Sequence, residues 1–137
     1  MNTTITVATS VRADIEKVWK YWNAPEHIER WMHASDDWEC TKATNDVRVG
    51  GRLSATLEAK DKSTSFEFTG VYTMVDVGKL LEYTLDDGRV VVVSFAEIDG
   101  GVRIVEAFEM EHENSEELQR AGWQAILNNF TAYVEHN

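Results

Sequence analysis

The sequence predicts an α+β domain in which a curved antiparallel sheet of about six strands carries two short helices near its N-terminal end and one long C-terminal helix laid across it. Three observations support this. Apolar residues recur with a period near 3.6 from Ile15 to Met32, with a period of two over much of Trp38 to Glu111, and with the helical period again from Glu116 to Glu135. The period-two segments are separated by short turns rich in Gly and Asp, which join antiparallel neighbours. A chain of 137 residues suits one domain, spanning 1–137, with enough core to stand without cross-links.

The elements follow in order. Ile5, Val7 and Thr9 share one face of a first strand over residues 3–9. Ile15, Val18, Trp19 and Trp22 then fall at i, i+3, i+4 and i+7, the stripe of a short helix. Asn23 is expected to cap a second helix, with Pro25 in its first turn and Glu26 completing a capping box; Ile28, Trp31 and Met32 form its apolar side.

Gly50-Gly51 opens a strand in which Leu53, Ala55, Leu57 and Ala59 face one way, and Lys60 to Ser63 form a turn. Phe66, Phe68, Gly70, Tyr72 and Met74 line one face of the next strand, which Gly78 ends. Leu81, Tyr83 and Leu85 follow, then the tight-turn pair Asp87-Gly88, the apolar run Val90 to Phe95, and a second turn at Asp99-Gly100-Gly101. The last strand places Val102, Ile104, Glu106, Phe108 and Met110 on one face and Arg103, Val105, Ala107 and Glu109 on the other. Asn114 or Ser115 caps the final helix, about 30 Å long, with Leu118, Gly122, Ala125, Ile126, Asn129, Phe130 and Tyr133 near one face.

Charge narrows the function. Thirteen basic residues stand against 24 acidic ones, a formal net of −11, and no basic patch is visible. Such a surface repels phosphate backbones and anionic lipid, so neither nucleic acid nor membrane is an expected partner, while a basic protein partner remains open. No apolar run approaches the roughly 20 residues that span a bilayer, and Met1-Asn2-Thr3-Thr4 has neither the basic start nor the apolar stretch of a secretory leader. Cys40 is the only cysteine, which excludes an internal disulfide; the cytoplasm is the expected compartment.

The order strand, two helices, many strands, long helix is the helix-grip plan. The chain resembles the activator of heat-shock protein 90 ATPase homologue-like family, within the START-related, pollen-allergen-like (SRPBCC) superfamily. The resemblance rests on Val18-Trp19, on Pro25-Glu26-His27-Ile28 followed by Trp31, and on Val47-Arg48-Val49-Gly50-Gly51-Arg52. The Phe68-Thr69-Gly70-Val71-Tyr72 strand and Gly122-Trp123 with Leu127 complete it. Trp31-Met32 stands where the family commonly has an aromatic pair, and Trp22 where it usually has a small polar residue; both alter the shape of the interior. The resemblance implies a ligand-holding fold and no single reaction, since the superfamily serves carriers, cyclases, hydrolases and chaperone partners.

A sheet curved around a helix leaves apolar space between them. Strand parity nominates Phe66, Phe68, Tyr72, Met74, Tyr83, Phe108 and Met110 as its lining, with Trp31 and Trp123 near the mouth and Gly122 and Leu127 on the helix. Gly122 inside a helix costs about 1 kcal/mol against alanine, which implies either close approach to the sheet or room for a guest. Glu106 is the one charge on an apolar strand face and needs a partner, a raised pKa or water. It is either a carboxylate at a sheet rim or one paired with Arg103 or Arg89, or else a polar anchor or general base inside the cavity.

His27, His33, His112 and His136 form no metal spacing, and the segment from His33 to Cys40 matches no zinc pattern, so no metal or cofactor is expected. No nucleophile elbow or phosphate loop is present, and Cys40 has no cationic neighbour in sequence to lower its pKa. No catalytic residue is assigned. The leading expectation is binding of a small apolar or amphipathic molecule; a protein-interaction module, or a cyclase or hydrolase using Glu106 and Tyr83, are the alternatives.

Overall fold

A computed structural model describes residues 3–137; Met1 and Asn2, which open the segment expected to carry no leader, lie outside the described residues. The chain runs β1 (Thr4–Val11), α1 (Ile15–Asn23), α2 (Pro25–Trp31), β2 (Trp38–Asn45), β3 (Arg52–Ala59), β4 (Ser65–Asp76), β5 (Leu80–Leu85), β6 (Val90–Ile98), β7 (Gly101–Glu109) and α3 (Glu116–His136). The strands form one antiparallel sheet in the order β1-β7-β6-β5-β4-β3-β2. This is the predicted helix-grip architecture with seven strands rather than six. The extra strand is β2, whose register shifts between Cys40 and Lys42. A bulge of that kind breaks strict alternation, so β2 carries little period-two signal.

The helix junction also differs. Ala24, not Asn23, separates the two helices: its N–H donates to the Lys20 carbonyl and its own carbonyl accepts from His27 and Ile28. Pro25 disfavours a helical residue before it, so the break falls at Ala24, which is extended at φ −72° and ψ 127°. Asn23 is left as the last residue of α1, its side chain donating back to the Trp19 carbonyl, and α2 has no side-chain cap. Ser115 caps α3 by accepting from the Leu118 N–H.

The core lies on the concave face. Ile5 and Val7, Leu53, Ala55 and Leu57, Leu81 and Tyr83, Val91 and Val93, and Ile104 and Phe108 are all buried there. The buried stripe of α3 is Gln119, Leu127, Phe130 and Val134, with Leu118 exposed, so the helix is turned by about one position from the face expected. The cause is its seat. α3 lies along β1, while α2 packs against β2 at the opposite edge, and the two helices meet. Polar side chains of α3 occupy the free edge of β1. Gln124 donates to the Ala8 carbonyl at 3.0 Å and accepts from its N–H at 3.4 Å, Arg120 donates to the Thr6 carbonyl at 3.1 Å, and Glu135 accepts from the Arg12 N–H at 2.9 Å. Four backbone groups at this edge are thereby satisfied within the fold.

Two glycines separate the expectations about small residues. A Cβ on Gly70 would meet the Thr84 carbonyl oxygen at 2.8 Å and the Tyr83 ring at 3.2 Å, whereas one on Gly122 would meet nothing within 4 Å. Close approach to the sheet therefore does not account for Gly122. We expect Gly122→Ala to stabilise the protein by about 1 kcal/mol through helix propensity, and Gly70→Ala to destabilise it by about 1–3 kcal/mol through overpacking. Urea unfolding of the two variants beside the parent checks both signs.

Candidate functional site: a pocket under the C-terminal helix

With α3 held at the β1 edge and α2 at the β2 edge, the middle of the concave face is spanned by side chains rather than by helix backbone. A pocket of about 300 Å³ opens there. The sheet supplies Leu53 and Leu57 from β3, Phe68 and Tyr72 from β4, Tyr83 from β5 and Glu106 from β7. The helices supply Trp22, Ile28 and Trp31 on one side and Trp123, Ile126 and Leu127 on the other.

Aromatic contacts fix both ends. Trp123 reaches down from α3 to stack on Phe108, with centroids 3.8 Å apart and planes within 9°, and meets Phe68 edge-on at 5.7 Å. At the far end Trp22 and Trp31 lie 5.0 Å apart, and each meets Phe130 edge-on at 4.9 Å. The Trp31 indole N–H donates to the Tyr21 carbonyl at 2.9 Å, which locks that ring. Between these ends Phe68 and Tyr72 each face Tyr83 edge-on, at 6.2 and 5.7 Å. Phe66, Arg89, Glu111 and Asn114 form the mouth.

The structure brings Trp31, Phe66, Phe68, Tyr72, Tyr83, Glu106, Trp123 and Leu127 of the nominated residues together around this pocket. Four others stand off its wall. Met74 is exposed because the register of β4 shifts between Tyr72 and Met74, which turns Met74 outward and Val75 inward. Phe108 is fully buried behind Trp123, Met110 packs against the core beyond the end of β7, and Gly122 faces open space beside the pocket. Sequence reasoning left out Trp22, Leu53 and Leu57, whose periodicity already put them on inward faces. It also left out Asn45, on the bulged strand, and Gln119, which reads as a polar position on a surface helix. Gln119 is buried and donates to the carbonyls of Glu111 and Asn114 while accepting from the Glu111 N–H, pinning the start of α3 over the mouth.

Most polar groups inside are paired. The Tyr72 hydroxyl donates to Asn45 Oδ1 at 2.7 Å, and Asn45 Nδ2 donates to the Asn23 carbonyl at 2.9 Å. Glu106 is different. It is 7% exposed, its inward strand mates Ile104 and Phe108 are buried, and its cross-strand neighbours are Val7 and Val93. Arg103 points outward to Ser10 and Arg89 pairs with Asp87, so neither candidate cation reaches it. No described residue hydrogen-bonds to its carboxyl group, and burial alone pushes its pKa up to about 8. Tyr83 is held well above its ordinary value by burial, then by Glu106 and Tyr72, and its hydroxyl too has no hydrogen-bond partner among the described residues.

The remaining candidates carry no reactive chemistry. Burial pushes the Cys40 thiol up to about 11, which leaves it protonated at neutral pH. The described residues contain no group of three or more His, Cys, Asp or Glu side chains placed to hold a metal. No helix among them is long and apolar enough to cross a membrane.

The state of Glu106 has a thermodynamic consequence. The folded protein keeps this proton up to pH about 8, whereas the unfolded chain releases it near the ordinary 4.5. The unfolded state therefore binds fewer protons across that window. The contribution of Glu106 is fully present below about pH 4.5 and is lost as pH rises toward 8, by at most about 1.4 kcal/mol per pH unit. Glu106→Gln lacks this dependence. Its stability relative to the parent should rise from pH 5 to pH 8 by up to a few kcal/mol, read from urea unfolding of both proteins at the two pH values.

Comparison with known proteins agrees with this geometry. Residues 12–135 match the family model described as Activator of Hsp90 ATPase homolog 1-like protein. An AHSA1-like protein from Aeromonas hydrophila is 42% identical, with 98% of this chain and 93% of that one covered at a TM-score of 0.91. A protein from Cytophaga hutchinsonii is 50% identical over the same shares, with a TM-score of 0.84. A Chromobacterium violaceum protein, 23% identical with 97% and 98% covered, shares the fold at a TM-score of 0.87. None of the curated proteins matches the chain. The match over nearly its whole length, and the identity to those two structures, place this chain in the Activator of Hsp90 ATPase homolog 1-like family.

Proposed function

We propose that this protein binds a small apolar or amphipathic molecule in the pocket between the sheet and α3, and that it acts through binding rather than through a reaction. The observation that carries this reading is the combination of an apolar cavity with a buried, unpartnered polar group facing it: about 300 Å³ bounded by tryptophan, phenylalanine, tyrosine and leucine side chains, with Glu106 on the sheet wall. Ligand sites have this composition, in which apolar walls supply affinity and a few polar groups set orientation. A solid core does not leave a carboxyl group without a partner, because the desolvation cost has nothing to offset it. Catalysis finds less support. The carboxyl group and the Tyr83 hydroxyl stand in the same pocket, but no nucleophile with an activating base accompanies them.

The test is a titration with N-phenylnaphthylamine, a neutral probe that fluoresces in apolar surroundings, against the parent and Ile126→Trp. Ile126 lines the pocket and is only partly buried, so a larger side chain there should fill the space without disrupting the core. Saturable emission with the parent and a loss of at least about tenfold in affinity with the variant are expected, since the variant removes most of the apolar area open to the probe. Equal binding by both would move the site elsewhere. No binding by either would defeat the reading in favour of a protein-interaction role.

A further inference from the structure

Glu106 also bears on which molecule fits. We propose that the pocket selects a primary or secondary alkylamine, protonated at neutral pH and carrying an aromatic or other apolar body, with the ammonium group paired to Glu106 and the body held among the tryptophan and phenylalanine rings. This rests on the small-molecule reading above and specifies the ligand's chemical class.

The first argument is the lack of a partner. Among the described residues Glu106 is the only charged strand residue that lines the pocket, its cross-strand neighbours are Val7 and Val93, and both nearby arginines are engaged elsewhere. A carboxylate enclosed in this way is stabilised chiefly by a cation brought by the guest.

The second argument is the character of the wall. Trp22 and Trp31 on one side, Trp123 on the other, and Phe68, Tyr72 and Tyr83 on the sheet expose aromatic surface to the same space. Aromatic faces attract ammonium groups and also pack an apolar body, so both halves of such a ligand are accommodated.

The third argument is the surrounding field. The ionisable group facing Glu106 is Tyr83 from β5, with Tyr72 from β4 beside Tyr83, and those at the mouth are Arg89 and Glu111. The helices contribute tryptophan, isoleucine, leucine, methionine and Gln119 to the pocket and no charge. Arg89 is neutralised by Asp87, and the whole chain carries a formal −11, so the field favours entry of a cation and opposes an anion. A carboxylate ligand would face Glu106 without any free counter-charge.

The proton balance follows. Before binding, the Glu106 carboxyl group is neutral at pH 7, because burial raises its pKa to about 8. The amine enters as its ammonium form, Glu106 ionises to pair with it, and close to one proton passes to solvent. Amine affinity should therefore rise about tenfold per pH unit below about pH 8 and level off above it. A neutral guest has no such dependence in that range, apart from any loss of a hydrogen bond from the protonated acid.

Three molecules of one shape separate the outcomes: naphthylethylamine, naphthylethanol and naphthylacetate, titrated calorimetrically at pH 7 in two buffers of different ionisation enthalpy. The expected result has three parts: the amine binds at least about tenfold tighter than the alcohol, it releases close to one proton, and the acid binds weakest. Glu106→Gln should abolish the amine's advantage over the alcohol, since the side chain keeps its shape and loses the charge that pairs with the ammonium group. Proton release is measured on the parent protein, so the outcome does not depend on how the variant folds. If the alcohol or acid binds as tightly as the amine, or the amine enters without releasing a proton, the amine assignment is overturned while the small-molecule reading stands. If none of the three binds and N-phenylnaphthylamine is also excluded, both fail.

Discussion

The pocket depends on where the long helix is anchored. α3 is fixed to the sheet by hydrogen bonds to the free edge of β1, through Gln124 to both backbone groups of Ala8, Arg120 to Thr6 and Glu135 to Arg12, with Thr131 and Thr9 hydroxyls 2.7 Å apart between them. These bonds cap an edge that would otherwise present open N–H and C=O groups, and they hold the helix at the rim of the sheet rather than over its centre. At the opposite rim α2 packs against β2 and reaches α3. The concave face is thus bracketed at its edges, and its centre is left to side chains.

Those side chains are large enough to bridge the gap and too few to fill it. The stack of Trp123 on Phe108 closes one end, and the cluster of Trp22, Trp31 and Phe130 closes the other. Gly70 lets the Tyr83 ring lie close against the sheet. Space survives because the framework that bounds it is rigid: its rings are locked by edge contacts and by the Trp31 indole bond to Tyr21. The mouth has its own brace in Gln119, whose amide is satisfied by backbone groups at Glu111 and Asn114.

Inside this frame two kinds of polar group coexist. The Tyr72–Asn45–Asn23 chain is closed on itself and helps tie β4 to β2 and α1. Glu106 and Tyr83 are open toward the pocket. A satisfied network contributes to a unique fold, whereas an open buried carboxyl group costs stability whenever it ionises, and folding chemistry alone gives no reason to keep it. That asymmetry is what the proposed ligand-binding role of Glu106 rests on.

Periodicity alone determined a good deal of this protein. The alternation of Val102, Ile104, Glu106 and Phe108 put Glu106 inside before any coordinates, and the residues matching a known family indicated the fold over most of the chain. The first is a local property, because a strand's two faces and a helix's stripe follow from backbone geometry. Tertiary structure decided what local pattern cannot encode. Bulges at Cys40/Lys42 and Tyr72/Met74 shift parity, which hid β2 and turned Met74 out of the pocket. The hydrogen bonds to β1 set the rotation of α3, which took Gly122 off the pocket wall and brought Gln119 inside. The isolation of Glu106 likewise emerges only when every neighbour is in place, since a charge is unpaired only with respect to everything that surrounds it, and that depends on contacts between residues far apart in the chain.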